Sequence, residues 1–318
     1  MQEVSVIIPN YNGMAYLEGV LSTLEQQTFQ NFETILVDNG SSDGSVAFVM
    51  GNYPWVHIIE LADNYGFSRA VNEGIYAARA PYVLLLNNDT EVDKNFVGEM
   101  LASIKRHKKA FSCSARMIRY HERDKLDDAG NYYCALGWAF ARGKGKDIRT
   151  YEREERIFTS CAGAAIYRRR LFEKIGYFDE EHFAYLEDID VGYRARIEGY
   201  ENWYAPKALV YHIGSGTSGS RYNQFKTRYS SRNNIYLIYK NMPLLQIILN
   251  LPFLIPGFGL KILFFLQKGM GKEYIAGIKN GFQLCKKDRK VPFKIENLGH
   301  YGKIQLELWI NIFQRFFG

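Results

Sequence analysis

Four short clusters hold the side chains whose types and spacing suit chemistry. They are Pro9-Asn10-Tyr11-Asn12, Asp38-Asn39-Gly40-Ser41-Ser42-Asp43-Gly44, Asn87-Asn88-Asp89 and Glu187-Asp188-Ile189-Asp190. Carboxylate and amide oxygens are the ligands a hard divalent cation takes, and a carboxylate held beside a hydroxyl works as a general base. His212 adds an imidazole, and the Gly-Ser-Gly at 214–216 suits an active-site loop; the bland alternative is a packed or surface histidine.

The elements that must position these clusters are legible around them. Val4–Ile8, Glu33–Val37, Trp55–Leu61 and Tyr82–Leu86 are apolar runs that read as strands, with helical spacing through Leu17, Val20, Leu21 and Leu24 and again over Phe67–Arg79. Near-continuous apolar strands alternating with helices indicate a parallel sheet covered on both faces. Ligands bind such sheets at the carboxyl ends of the strands, which is where the first three clusters fall. Further on, Asp93–His107 and Glu187–Gly199 read as helices and Ile157–Tyr167 as a small-residue strand.

The chain has 318 residues, 47 % of them hydrophobic and 15 % aromatic, enough to bury a core. Its four cysteines lie far apart, against a zinc knot or a disulfide scaffold. No Gly-X-Gly-X-X-Gly follows the first strand, so a dehydrogenase is excluded, and Gly143-Lys144-Gly145-Lys146 lacks the surroundings of a phosphate-binding P-loop. The opening residues show no basic-then-apolar leader, so the expected location is the cytoplasm. The net charge of +6 hides an asymmetry: residues 1–220 hold 24 Lys+Arg and 30 Asp+Glu, while residues 221–318 hold 16 and 4. A basic, apolar tail on an acidic body points to an anionic surface rather than to nucleic acid.

Within that tail, residues 244–266 are long and apolar enough to span a bilayer, but Pro252, Pro256, Gln246, Asn250 and Lys261 argue for an in-plane, re-entrant or packing segment. Ile304–Phe317 is amphipathic, and Lys286, Lys287, Arg289 and Lys290 between the two could meet anionic headgroups or water. The expected organisation is an α/β domain over 1–220 and a basic, apolar helical region over 221–318.

Six motifs in order give the chain a resemblance. Val-Ser-Val-Ile-Ile-Pro-Asn-Tyr-Asn (4–12), Val-Asp-Asn-Gly-Ser-Ser-Asp-Gly-Ser (37–45), Asn-Tyr-Gly-Phe-Ser-Arg-Ala-Val-Asn-Glu-Gly (64–74), Leu-Leu-Leu-Asn-Asn-Asp-Thr (84–90), Glu-Asp-Ile-Asp (187–190) and His-Ile-Gly-Ser-Gly-Thr-Ser (212–218) resemble family 2 glycosyltransferases. The rhamnosyltransferase-like branch of bacterial surface-polysaccharide biosynthesis is the most similar. The resemblance implies an α/β GT-A fold, Rossmann-like with a mostly parallel sheet and flanking helices, plus a C-terminal helical membrane-associating region. It implies an inverting glycosyltransferase that takes a sugar from dTDP-rhamnose or a UDP-sugar to a lipid-linked saccharide or polysaccharide.

Residue by residue, the resemblance puts Pro9, Tyr11, Asn12, Asp38, Asn64, Arg69, Asn87 and Asn88 around the nucleotide. Asp38 would accept the N3–H of a pyrimidine, or serve only as a cap or turn residue. Arg69 would pair with phosphate, or with a surface carboxylate. Asn87-Asn88-Asp89 stands in place of the family's Asp-X-Asp, so Asp89 is the one acidic candidate there; with His212 it would hold Mg²⁺ or Mn²⁺. Asn87 in place of the first carboxylate puts the strength of metal dependence in doubt. The family pattern makes Asp188 the base, with Glu187 and Asp190 as acceptor or supporting groups; Asp190 lies four before Arg194, the spacing of a structural ion pair. The expected partners are a nucleotide-sugar, a lipid-linked or saccharide acceptor, the inner face of the cell membrane and a second copy of the chain. The alternative reading is a non-catalytic nucleotide-sugar-binding scaffold at the membrane.

Overall fold

The computed structural model describes residues 2–214 and 222–317. Residues 215–218 of the last motif lie outside them. The first half alternates strand and helix: β1 (Val4–Asn10), α1 (Met14–Glu25), β2 (Phe32–Asp38), α2 (Ser45–Asn52), β3 (His57–Glu60), α3 (Phe67–Ala77), β4 (Tyr82–Leu86), β5 (Thr90–Val92), α4 (Phe96–Arg106) and β6 (Ala110–Arg119). Then come β7 (Leu126–Asp128), β8 (Asn131–Cys134), β9 (Trp138–Ala141), β10 (Glu155–Ile157), β11 (Ala164–Arg168), α5 (Phe172–Ile175), α6 (Glu187–Ile197) and β12 (Glu201–His212). Four helices close the chain: α7 (Gln224–Asn241), α8 (Leu244–Gln267), α9 (Gly271–Leu284) and α10 (Leu298–Phe317).

The main sheet runs β10-β12-β6-β11-β4-β1-β2-β3, with β5 on β12 and β7 on β6. Pairs β1–β2, β1–β4, β2–β3 and β6–β12 are parallel, and β11 lies antiparallel between β4 and β6. Strand side chains alternate faces, and the core divides accordingly. Val6, Ile8, Leu36, Leu84 and Leu86 pack with α1 and α4, whereas Ile7, Ile35, Val37, Val83 and Leu85 pack with α3 and α5. Both faces are therefore covered.

The predicted strand over 157–167 is two strands: β10 ends at Ile157, β11 begins at Ala164, and Cys161–Gly163 form a turn between them. Strand β12 escapes the sequence reading because Pro206 interrupts it; its register against β6 shifts between Ala205 and Leu209. Helices α7, α8 and α10 share a third core with the body, where Tyr133, Phe158, Ile189 and Tyr193 meet Leu237, Leu254, Ile304 and Leu308.

Helix α8 lies along this body on its polar side. Tyr193 Oη donates to Gln246 Oε1 at 3.0 Å, and Asn250 exchanges amide hydrogen bonds with Gln305 at 2.8 and 2.9 Å. A Cβ on Gly257 would stand 2.2 Å from the Leu136 carbonyl oxygen, so only glycine allows that approach. Its apolar face points away: Leu244, Ile255 and Leu263 are 69 %, 68 % and 59 % exposed.

Candidate active site

Three strand ends are tied by one chain of buried amides. Asn88 Nδ2 donates to Asn10 Oδ1 at 2.8 Å, and Asn10 Nδ2 donates to Asp38 Oδ1 at 2.9 Å. The other oxygen of Asp38 accepts the Ser41 N–H at 2.9 Å, so one oxygen ties the turn to β1 and the other folds the 38–44 turn. Asn39 continues the network outward, donating to Asn64 Oδ1 at 2.9 Å and accepting the Tyr65 N–H at 3.0 Å. Above these ends opens a cavity of about 840 Å³, walled by Pro9, Tyr11, Asn39, Asn64, Asn87, Asn88 and Asp89, and across it by Asp127, Asp128, Asn131, Glu187, Asp188 and His212.

Strand pairing brings His212 to Asp89. β12 lies antiparallel to β5 with His212 opposite Thr90. His212 Nδ1 is 2.7 Å from Asp127 Oδ2, and its Nε2 is 3.4 Å from Asp89 Oδ1. Lys144 Nζ holds the second oxygen of Asp127 at 2.7 Å. Burial opposes charge on His212, yet the two carboxylates outweigh it and hold the ring up to about 9. Burial opposes the ionised form of Asp127 too, but His212 and Lys144 keep it well below the carboxylate range. The donor set fits a divalent cation: a carboxylate oxygen and an imidazole nitrogen face each other, and the second ring nitrogen is fixed by a carboxylate.

A second His/Asp group, Asp179, His182 and Asp190, does not suit a metal. Lys240 Nζ already sits between Asp179 Oδ2 at 2.6 Å and Asp190 Oδ2 at 2.9 Å. These residues also lie outside the cavity wall.

Glu187 and Asp188 open helix α6 into the cavity. Asp188 is partly exposed there, and its Oδ2 accepts from Asn131 Nδ2 at 3.0 Å. Desolvation pushes its carboxyl up to about 6, and pushes the more deeply buried Glu187, whose Oε2 has no hydrogen-bond partner, to about 8. Burial raises Glu187 further than Asp188, so Asp188 is the readier of the two to ionise. Asp128 across the cavity is likewise raised by burial, to about 7.

The approach to this pair is strained. Phe183, Tyr185 and Leu186 all have left-handed backbone, at φ 60°, 73° and 68°. Such residues cost about 1–3 kcal/mol each and persist only where their surroundings enforce them. The enforcing group is on α7: the buried Asn233 Nδ2 donates to the carbonyls of His182, Ala184 and Tyr185 at 2.8, 2.8 and 2.7 Å. Arg232 adds bonds to the Glu181 and His182 carbonyls at 2.5 and 3.0 Å. Gly66 faces the same turn; a Cβ there, at φ +88°, would meet the Phe183 ring and carbonyl at 2.6 Å.

The structure thus gathers Pro9, Tyr11, Asn64, Asn87, Asn88, Asp89, Glu187, Asp188 and His212 around one cavity. Four predicted site residues stand outside it. Asp38 is held beneath by its turn, and Asn12 serves the same loop, its Oδ1 accepting the Ser42 N–H at 2.9 Å. Arg69 is engaged by Glu73 at 2.6 Å and Glu180 at 3.2 Å, the surface pairing weighed against phosphate. Asp190 is fully buried among Arg194, Lys240 and Asn241, so it braces α6 and meets no acceptor. The sequence reading missed Asp127, Asn131 and Asn233, whose partners lie 48 to 85 residues away along the chain, and Asp128, whose carboxylate accepts the nearby Gly130 N–H.

Comparison with known proteins agrees with this fold. The model of glycosyl transferase family 2 matches residues 5–176, more than half of the chain, and the protein belongs to that family. It is a glycosyltransferase of GT-A fold, rhamnosyltransferase-like in sequence. It is 27 % identical over 237 residues to the N-acetylglucosaminyl-diphospho-decaprenol L-rhamnosyltransferase of Mycobacterium tuberculosis, an alignment covering 67 % of this chain and 77 % of that one. Among solved structures, residues 1–349 of Staphylococcus aureus TarS in complex with UDP-GlcNAc superpose with a TM-score of 0.60 at 19 % identity, covering 90 % of this chain and 82 % of that one. A mannosyltransferase of Pyrobaculum calidifontis with GDP-Man and Mn²⁺ gives 0.56 at 15 %, covering 88 % and 87 %.

Proposed function

We propose that the protein transfers a sugar with inversion from a nucleotide-diphospho-sugar, dTDP-rhamnose or a UDP-sugar, to a hydroxyl of a lipid-linked saccharide at the inner membrane face. The observation that carries this reading is one cavity with the Asp188 carboxylate and the Asp89–His212–Asp127 cluster in its walls. Asp188 takes the proton of the acceptor hydroxyl as that oxygen attacks the anomeric carbon, opposite the departing nucleotide diphosphate. A carboxyl raised by desolvation is a better base at neutral pH than an ordinary aspartate. Asn131 orients it, and Glu187 beside it, raised further by burial, holds its proton more tightly than Asp188 does. Asp89 and His212 would hold Mg²⁺ or Mn²⁺, which offsets charge on the leaving diphosphate. Pro9, Tyr11, Asn39 and Asn64 wall the nucleotide end, and Asn87 and Asn88 offer amides to ribose or phosphate.

The catalytic part is residues 1–220, and the helices of 221–318 bring it to the bilayer. Helix α8 is 24 residues long; an 18-residue stretch of it has a mean hydropathy of 1.9 with only 17 % of that stretch buried, while Gln246 and Asn250 are spent on the body. Spanning the membrane would strip those contacts, so the helix lies in the interface plane with Ile255 and Leu263 toward lipid. Of the basic cluster, Arg289 pairs with Glu181 and Lys290 bonds the Tyr239 and Met242 carbonyls, leaving Lys286 and Lys287 outward.

The deciding experiment is Asp188→Asn. Calorimetric binding of dTDP or UDP should stay at the wild-type value while transfer falls by about 10²–10⁴-fold. Transfer surviving near the wild-type rate would place the base elsewhere. Ile255→Asp with Leu263→Asp should abolish flotation with vesicles and leave nucleotide binding intact; unchanged flotation would refute the interfacial role of α8.

A further inference from the structure

Behind the β8–β9 hairpin lies a second cavity of about 800 Å³. Ala139, Phe140, Ala141 and Lys144 belong to its wall and to that of the active-site cavity, so the two are neighbours across one strand. Among the described residues, six cations line it, Arg119, Arg142, Lys144, Lys146, Lys261 and Arg315, and no Asp or Glu does. Three of the six are neutralised nearby: Arg119 by Glu122 at 2.6 Å, Arg142 by Glu155, and Lys144 by Asp127 at 2.7 Å. Among the described residues, Lys146, Lys261 and Arg315 have no carboxylate partner. Lys261 and Arg315 rest instead against aromatic rings, Nζ 5.7 Å from Trp138 and Cζ 5.7 Å from Phe140. Burial, and then the charge of Arg315, lowers the affinity of Lys261 for its proton. A concave site that collects uncompensated like charge is arranged for an anion.

The rim of this cavity is apolar on the far side. Leu260 and Phe264 of α8 line it, 52 % and 37 % exposed, and lead onto the outward face at Leu263. Three chemistries therefore follow one another: a polar sugar cavity, a cationic recess, and an apolar face. We propose that this recess binds the diphosphate of an isoprenoid-diphosphate acceptor. The isoprenoid chain leaves along α8, and the saccharide crosses Ala139 and Ala141, whose small side chains leave room, toward Asp188. The donor's diphosphate has its own place at Asp89 and His212, so the two diphosphates do not compete. The inference rests on the lipid-linked acceptor of the proposed function and assigns the residues that recognise it.

Geranylgeranyl diphosphate is the probe, measured against the full chain in detergent. Lys261→Gln with Arg315→Gln should weaken its binding by about tenfold or more, the loss expected for two charge-assisted contacts. Lys146→Glu, on an exposed loop where folding is not at risk, should do the same in direction. Nucleotide affinity and binding to phosphatidylglycerol vesicles should not change. Equal binding of geranylgeraniol, or an unaltered affinity in both variants, overturns the proposal. A parallel loss of vesicle binding also overturns it and assigns the cations to bilayer headgroups. The two readings fail separately. If the wild type transfers no sugar to a lipid-linked acceptor, the proposed function falls while the probe still reports on the recess. If it transfers and the acceptor KM of the double variant is unchanged, only this inference falls.

Discussion

The Asn233 amide carries a burden out of proportion to its size. In Asn233→Ala the carbonyls of Ala184 and Tyr185 lose this donor, while that of His182 keeps Arg232. An unmet buried carbonyl costs about 1–3 kcal/mol, and both residues border the cavity, where water recovers part of it. The expected loss of stability is about 2–3 kcal/mol, read from urea unfolding. The larger effect falls on catalysis. Three left-handed residues immediately before Glu187 are then free to relax, and a base displaced by about 1 Å costs about 100-fold in rate. Transfer kcat should fall by that factor, about 2.7 kcal/mol, with the nucleotide Kd unchanged because its walls are on β1, β2 and β4. Asn233→Asp separates donation from volume: it keeps the size but turns an acceptor toward three carbonyl oxygens, and should be at least as damaging. If the Asp variant kept wild-type kcat, or the Ala variant lost only stability, the clamp argument would be wrong.

Other expectations follow from the same geometry. Because Asp188 must be ionised to act and its carboxyl is raised to about 6, kcat/KM should fall about tenfold per pH unit below 6 and level off above it; a flat profile down to pH 5 refutes this base. Glu187, raised by burial to about 8, keeps in the folded chain a proton that the unfolded chain releases, so stability should decline as pH rises from 5 to 8. Glu187→Gln should flatten that slope and stabilise the protein at pH 8 in thermal melts; a steeper slope would contradict the assignment. Asp127→Asn removes the carboxylate that fixes the His212 ring, and Mn²⁺ affinity by calorimetry should drop about 10–100-fold. An unaltered affinity would detach His212 from metal binding. Lys240→Met leaves Asp179 and Asp190 buried without their ammonium, and urea unfolding should show a loss of about 3–5 kcal/mol; a change below about 1 kcal/mol would mean Arg194 and Asn241 suffice.

The sequence by itself determined the sheet and the floor of the site. The apolar runs of β1, β2 and β4 can be buried only between two helical layers, so their polar C-terminal residues, Pro9, Tyr11, Asn87, Asn88 and Asp89, had to emerge at one edge. The i, i+4 spacing of Asp190 and Arg194 likewise announced an ion pair before any contact was known. What only the tertiary structure decided was the company each side chain keeps. Arg69 was legible as a cation at the right end of the sheet, but whether it met phosphate or Glu180, 111 residues away, depended on where a later loop folded. Asp127 reaches His212 across 85 residues because β7 and β12 both pair with β6, and nothing local to Asp127 marks it. The placement of Asp188 was likewise decided outside its own motif, by Asn233 on α7. Its backbone approach is strained, and a strained turn leaves no periodic signal; it stands only because an amide on α7 holds three carbonyls at once. Local sequence sets periodicity and turn chemistry, whereas the balance of buried charge and strain is settled by residues that meet only when the chain has folded.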